Sequence, residues 1–110
     1  MTTDNFRKHT TSNPIQKFFI KAFFDVLIGE LRHLNPDTIL DAGCGEGFTL
    51  EKIRKNNIGK ELVGVDFLKR AIDLGSVAHP LLNLKQGNIY ELPYGDNSFD
   101  AVVCSEVLEH

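Results

Sequence analysis

The sequence predicts an α/β fold, a parallel sheet with helices on both faces. Three observations carry that expectation. From residue 38 onward, short apolar runs alternate with amphipathic stretches, the rhythm of strand and helix in a parallel sheet. The first two runs each end in a carboxylate, Asp41 and Asp66, so an acid stands at two neighbouring strand tips. Between them, Gly43, Gly45 and Gly47 stand at every second position and lead straight into a helical pattern. Such a turn can be sharp and can admit a ligand against bare backbone.

The elements follow in order. Residues 1–13 are polar and read as a mobile tail. Asn13 followed by Pro14 starts a helix, because proline in the first turn forfeits no hydrogen bond. From Ile15 to Leu34, Phe19, Phe23, Val26, Leu27, Ile28, Leu31 and Leu34 recur at helical spacing. Phe18, Ile20 and Phe24 widen that stripe beyond one face. This helix, residues 14–35, is expected to cover the sheet, and Asn35-Pro36-Asp37 ends it.

Strands are then expected at 38–43, 61–66, 82–86 and 99–105, with helices at 46–57 and 68–76 and a helix opening at 106–110. Residues 87–98 read as a loop with a short turn. The helix after the glycines directs its amide hydrogens and positive dipole end back into the loop. Asp66, at the second strand tip, is placed to accept hydrogen bonds from the hydroxyls of a ribose. Its plainer role is capping the helix that follows, and the two roles are compatible.

This order, from Thr38 to His110, resembles the class I S-adenosylmethionine-dependent methyltransferases. The residues carrying the resemblance are Asp41-Ala42-Gly43-Cys44-Gly45-Glu46-Gly47, Asp66, Asn88-Ile89, Leu92-Pro93 and Ser98-Phe99-Asp100. The resemblance implies a Rossmann-like sheet in the order 3-2-1-4, with 36–110 as the S-adenosylmethionine-binding half-domain. It implies that the backbone of Gly43, Cys44, Gly45 and Gly47 cradles the methionine part of the cofactor, and that Asp41 helps hold its ammonium group. Asp66 would take the ribose hydroxyls, Phe67 would pack near the adenine, and the Ile89 amide would reach a ring nitrogen. Ser105 would line the site at the tip of the fourth strand. The family usually carries aspartate at position 88; Asn88 departs from it but keeps an amide oxygen able to accept from the adenine amino group. Its plain alternative is a turn asparagine. The Phe-rich start of the first helix would, on the same resemblance, form part of a lid.

Dinucleotide-binding dehydrogenases share the strand, the loop and the ribose acid. Their G-x-G-x-x-G fingerprint needs a small residue where Phe48 stands, which leaves an NAD(P)-binding protein as the alternative. The fourth strand ends Cys104-Ser105-Glu106-Val107, without the [DNS]-Pro-Pro-aromatic motif of methyltransferases acting on nucleobases or glutamine. A small-molecule acceptor is therefore expected over a nucleobase, and no catalytic base is identifiable. Glu106, Glu109 and His110 share one helical face and resemble the E-x-x-E-H metal site of some family members. The plainer reading is a first helical turn suited to the dipole, with no metal.

Composition narrows the class. The 110 residues are 42% hydrophobic and 25% charged, ordinary for a soluble globular chain. No apolar run is long enough to span a bilayer and the start lacks a signal core, so a cytoplasmic setting is expected. Net charge −3 does not indicate nucleic-acid binding. Cys44 and Cys104 fit a reducing compartment, and both read as small buried residues rather than catalytic thiols. The fourth strand would be interior in the complete family fold, so the chain is expected to be the cofactor half of a longer enzyme, inactive on its own. Left as it stands, that strand would be an apolar edge at which a second copy could pair to form a homodimer. A non-catalytic, ligand-binding or dimerising module is the corresponding alternative.

Overall fold

The computed structural model describes residues 13–92, 94–95 and 98–104. The expected tail over residues 1–12, and Ser105, Glu106, Glu109 and His110, lie outside the described residues. Among the described residues seven elements form in order: α1 (Pro14–Leu34), β1 (Thr38–Ala42), α2 (Phe48–Lys55), β2 (Glu61–Asp66), α3 (Lys69–Ala78), β3 (Asn83–Gln86) and β4 (Ala101–Val103).

The Asn13 carboxamide oxygen starts α1 by accepting from the Ile15 and Gln16 amides at 2.9 and 3.1 Å. Asn35 ends it in the left-handed conformation, its amide donating to the Leu31 carbonyl. Phe24, Ile28 and Leu31, one face of the helix, are buried. Phe18 and Phe19 stand 66% and 65% exposed, so the described residues do not put the aromatic start of α1 under cover. The Lys52 ammonium lies 5.5 Å above the Phe24 ring and ties α1 to α2.

All four strands are parallel, in the order β3-β2-β1-β4. Thr38 pairs with Glu61, Ile39 with Ala101, and Val63 with Asn83 to set the registers. Asp100 fixes the entry to β4: its Oδ2 accepts from the Asp37 amide at 2.9 Å and the Thr38 amide at 3.3 Å, while its own amide donates to the Thr38 hydroxyl oxygen.

The boundaries differ from the sequence reading where capping chemistry decides them. The helix expected at 46–57 begins at Phe48, because Gly47 turns left-handed before it, and ends at Lys55. The helix expected at 68–76 runs from Lys69 to Ala78. The first and third strands are shorter than expected by one residue each, and β4 is shorter than 99–105. Nor are all the strands apolar. β3 reads Asn83-Leu84-Lys85-Gln86, and only Leu84 turns inward.

The core forms on two faces of unequal cover. Ile39 and Val103 of the sheet join Ile28 and Leu31 of α1, Leu50 and Ile53 of α2, and Ile72 of α3 in one cluster. On the opposite face Leu40, Val63 and Val65 pack against Leu92, Tyr94 and Phe99. Among the described residues α1, α2 and α3 pack on one face of the sheet and Leu92, Tyr94 and Phe99 of the loop after β3 on the other. Between β3 and β4 the described residues form turns.

Candidate functional site

β1 leaves the sheet at Ala42 and turns at once. The Gly43 and Cys44 amides both donate to the Val65 carbonyl, at 2.8 and 3.0 Å, folding the chain back over the tip of β2. The Gly45 amide then donates to Asp66 Oδ2 at 2.8 Å, and the Gly47 amide to the Cys44 carbonyl at 3.0 Å. Gly47 adopts φ +87° and opens α2, its carbonyl accepting from the Glu51 amide. A side chain there would be strained by that φ and would also strike Leu82 and Leu84.

Asp66 is the hub of this arrangement. Its Oδ2 holds the glycine loop and its Oδ1 accepts from the Leu68 amide at 2.9 Å. Leu68, not Asp66, is the N-cap of α3 and gives no side-chain cap. The capping role expected of Asp66 is thus shifted into a tight turn just before the helix. Each carboxylate oxygen accepting one amide retains a further lone pair for a ligand. Phe67, next along, is 69% exposed. Its carbonyl accepts from Gln86 Nε2 at 3.2 Å, and the Gly87 amide donates to the Asp66 carbonyl, which brings the end of β3 beside the tip of β2.

Asn88 makes the turn expected as its plainer reading. Its Oδ1 accepts from the Tyr90 amide at 2.9 Å and its carbonyl from the Glu91 amide at 3.0 Å. Ile89, between them, is half-buried. Asp41, Gly43, Cys44, Gly45, Gly47, Asp66, Phe67, Asn88 and Ile89 therefore gather where β1, β2 and β3 end. β1 has β2 on one side and β4 on the other, so the glycine loop opens where the strand order reverses, the position at which open parallel sheets bind ligands.

The electrostatics are negative. Asp41 is wholly buried behind the loop. Burial pushes the Cys44 thiol well above the ordinary thiol range, and the charges of Asp41 and Asp66 push it further. Cys44 is thus an inert packing residue, as its sequence context suggests. Cys104 differs from that expectation: at the end of the short edge strand it is exposed.

Sequence reasoning missed several residues here. Glu46 carries a buried carboxylate oxygen, Oε2, without a hydrogen-bond partner, and burial raises its pKa against the opposing pull of His79 and Arg70. Gly64 and Gly75 lie against the loop, and Leu84 packs beneath it. A glycine inside the apolar run of β2 and another inside α3 were the available signals, since glycine in an element interior marks a close approach. Among the described residues no group of three His, Cys, Asp or Glu could hold a metal ion. A cleft of about 540 Å³, lined by residues including Arg54, Lys60, Leu62 and Leu81, opens at the opposite end of the strands, where β2 and β3 begin, and contains none of the site residues.

Known proteins share this arrangement. Residues 40–110 match the sequence profile of a methyltransferase domain. A probable S-adenosylmethionine-dependent methyltransferase of Mycolicibacterium smegmatis is 33% identical over 72 residues, 66% of this chain and 27% of that protein. A ubiquinone biosynthesis O-methyltransferase of Alkalilimnicola ehrlichii is 37% identical over 78 residues, 66% of this chain and 30% of that protein. Among solved structures, S-adenosylmethionine-bound CalS10 of Micromonospora echinaspora, an amino pentose methyltransferase, shares the fold with a TM-score of 0.69 at 21% identity, over 93% of this chain and 40% of that one. The YcgJ protein of Bacillus subtilis superposes with a TM-score of 0.65 at 26% identity, over 74% of this chain and 36% of that one. The chain spans roughly a quarter to two fifths of the length of the curated relatives it matches. By the profile match over residues 40–110, and with the Rossmann-like parallel order 3-2-1-4 beneath it, this chain belongs to the methyltransferase domain family, whose relatives here are S-adenosylmethionine-dependent enzymes.

Proposed function

We propose that this chain binds S-adenosylmethionine at the glycine loop and serves as the cofactor-binding portion of an enzyme that methylates a small molecule. The observation that carries the reading is the bond from the Gly45 amide to Asp66 Oδ2, which holds the loop and the ribose-binding acid in one unit. The residues fit the cofactor. Glycine at three of the five positions from Gly43 to Gly47 lets the methionine part lie close to the backbone, while the Gly43, Cys44, Gly45 and Gly47 amides hold the loop in shape by donating within the chain. Asp66 presents its remaining lone pairs to the two ribose hydroxyls, and exposed Phe67 offers a ring face to adenine. Asn88 reads the adenine amino group with its amide oxygen, which shares its second lone pair with the Tyr90 turn bond, and the Ile89 amide donates to the ring. Asp41, buried behind the loop, attracts the ammonium group through its field rather than by contact.

The bound cofactor supplies a methyl group on a positively charged sulfur, already a good leaving group. Held by Asp66, Asn88 and the Gly43–Gly47 backbone, it would supply that methyl to an acceptor's electron pair, its sulfur keeping the electrons of the carbon–sulfur bond. The protein's task is alignment, and no base on the chain is required for it. Relatives named for ubiquinone biosynthesis, together with a fourth strand lacking the Pro-Pro-aromatic motif, support a small-molecule acceptor over a nucleobase. On sequence grounds Ser105 is kept with the cofactor-binding residues, and Glu106, Glu109 and His110 are read as a first helical turn without a metal.

Titration calorimetry with S-adenosylhomocysteine, and with NAD as the rival ligand, tests the reading. S-adenosylhomocysteine binds and NAD does not. Asp66→Asn, which removes the charge from both amide bonds and the ribose contacts, weakens binding by roughly tenfold or more. Tight NAD binding without any response to S-adenosylhomocysteine would overturn the assignment.

A further inference from the structure

Three glycines from three different elements face a single side chain. A Cβ built on Gly47, in the loop, would lie 3.2 Å from Leu84 Cδ1 and 3.4 Å from its Cδ2. One on Gly64, in β2, would lie 2.8 Å from Leu84 Cδ2, and one on Gly75, in α3, 2.7 Å from Leu84 Cδ1. The two methyl groups of Leu84 thus fill a seat whose walls are bare backbone. Gly64 is the register partner of Leu84 across the β2–β3 ladder, so the sheet itself sets one wall. The same absent side chains bring the neighbours onto the loop. A Cβ on Gly75 would meet the Glu46 carbonyl oxygen at 2.4 Å, and one on Gly64 would meet Cys44 Sγ and Leu50 Cδ1 at 2.8 Å.

We propose that Leu84 is a positioning residue for the cofactor loop: seated among Gly47, Gly64 and Gly75, it sets the height of the Cys44–Gly47 backbone above the sheet. The inference rests on the cofactor reading for its consequence, because only that reading makes the loop backbone a ligand surface. The physical basis is close packing. Interiors leave little free volume, so a change of one methyl group at such a seat is transmitted to its walls. Two of the walls, Gly47 and the Glu46 carbonyl against Gly75, are the loop itself. A shift of a few tenths of an ångström there moves the loop backbone, and the Gly45–Asp66 bond with it, away from the geometry a bound ligand needs.

Leu84 is half-buried and lies on a short strand that is otherwise exposed, so its truncation leaves the strand's hydrogen-bond ladder in place. Leu62 serves as the control. It is likewise half-buried against the same core but lines the cleft at the far end of the strands, away from the glycine loop.

The test compares Leu84→Ala, Leu84→Met, Gly75→Ala and Leu62→Ala in the purified chain by two readouts, hydrogen exchange of the Gly43–Gly47 amides without ligand and S-adenosylhomocysteine affinity. Leu84→Ala and Gly75→Ala are expected to speed loop exchange and to weaken binding by about tenfold at temperatures where each is folded. Leu84→Met, which keeps the volume, restores both toward the parent. Leu62→Ala lowers the melting temperature yet leaves loop exchange and affinity within about twofold. Equal effects of Leu62→Ala and Leu84→Ala on the loop, or none from either, overturn the proposal. Should the parent chain bind no S-adenosylhomocysteine, the cofactor reading fails while loop exchange still decides the role of Leu84. Should Leu84→Ala not fold, Gly75→Ala and Leu84→Met carry the comparison.

Discussion

Glu46 and Glu51 lie five residues apart and respond to pH in opposite senses. The Arg54 guanidinium donates to Glu51 at 2.5 Å and holds its carboxyl below the ordinary range, with His79 Nδ1 3.3 Å from the other oxygen. A carboxyl favoured in its charged form stabilises the fold above its unfolded pKa, and that contribution is lost as pH falls through the lower folded value. Glu46 is raised instead, because burial disfavours its charge more than His79 and Arg70 favour it. Its contribution is present below the unfolded pKa near 4.5 and is lost as pH rises through the higher folded value. Glu46→Gln is therefore expected to raise the melting temperature slightly at neutral pH and to do nothing below pH 4. Glu51→Gln lowers it at neutral pH, and its effect vanishes on acidification. Melting curves from pH 3 to 8 check both signs, and a fall in stability for Glu46→Gln at pH 7 would show that its charge is satisfied. Neither role was legible beforehand: the pattern G-x-G-x-G marks the glycines and leaves the residues between them blank.

At the scale of elements, α2 buries a larger share of its residues than the other described helices. Leu50 and Ile53 are wholly buried, Thr49 is nearly so, and the helix begins at the glycine loop. Ile53→Ala is expected to cost about 2–5 kcal/mol, through lost transfer energy and the cavity left among Ile28, Leu31 and Ile39. Urea denaturation checks it; a loss under about 1 kcal/mol would mean that the α1–α2 contact closes over the gap. Helices and strands were legible because periodicity survives in a single sequence, and Asn13-Pro14 and Asn35-Pro36 gave the limits of α1 nearly to the residue. What escaped was set by tertiary contact. The shift of α3 depends on Asp66 spending its oxygens on Gly45 and Leu68 rather than on a helix cap. The weak β3 has a polar outer face because one inward leucine suffices for its seat.

For the whole molecule the governing feature is the sheet's uneven boundary. β1 is buried between neighbours, while β4 pairs only with β1 and has its other edge open among the described residues. Val102 sits opposite Leu40 in the register, on the face that no described helix covers, and is 58% exposed. The sequence made this edge legible, since the order 3-2-1-4 leaves the apolar fourth strand with one neighbour among the described residues. Asp100, at the entry to β4, is engaged with the Asp37 and Thr38 amides. An open edge with an apolar centre invites pairing, because unpaired backbone groups and exposed apolar surface are satisfied together by another strand. The 110-residue chain by itself is thus expected to self-associate through β4. Val102→Lys places a charge at the middle of that edge and should shift the population toward monomer, without loss of the helical core, which lies on the other face. Sedimentation velocity over a concentration series of both forms measures the shift. A parent chain that stays monomeric at high concentration, with its β4 amides protected from exchange, would show that this edge is covered from within the chain.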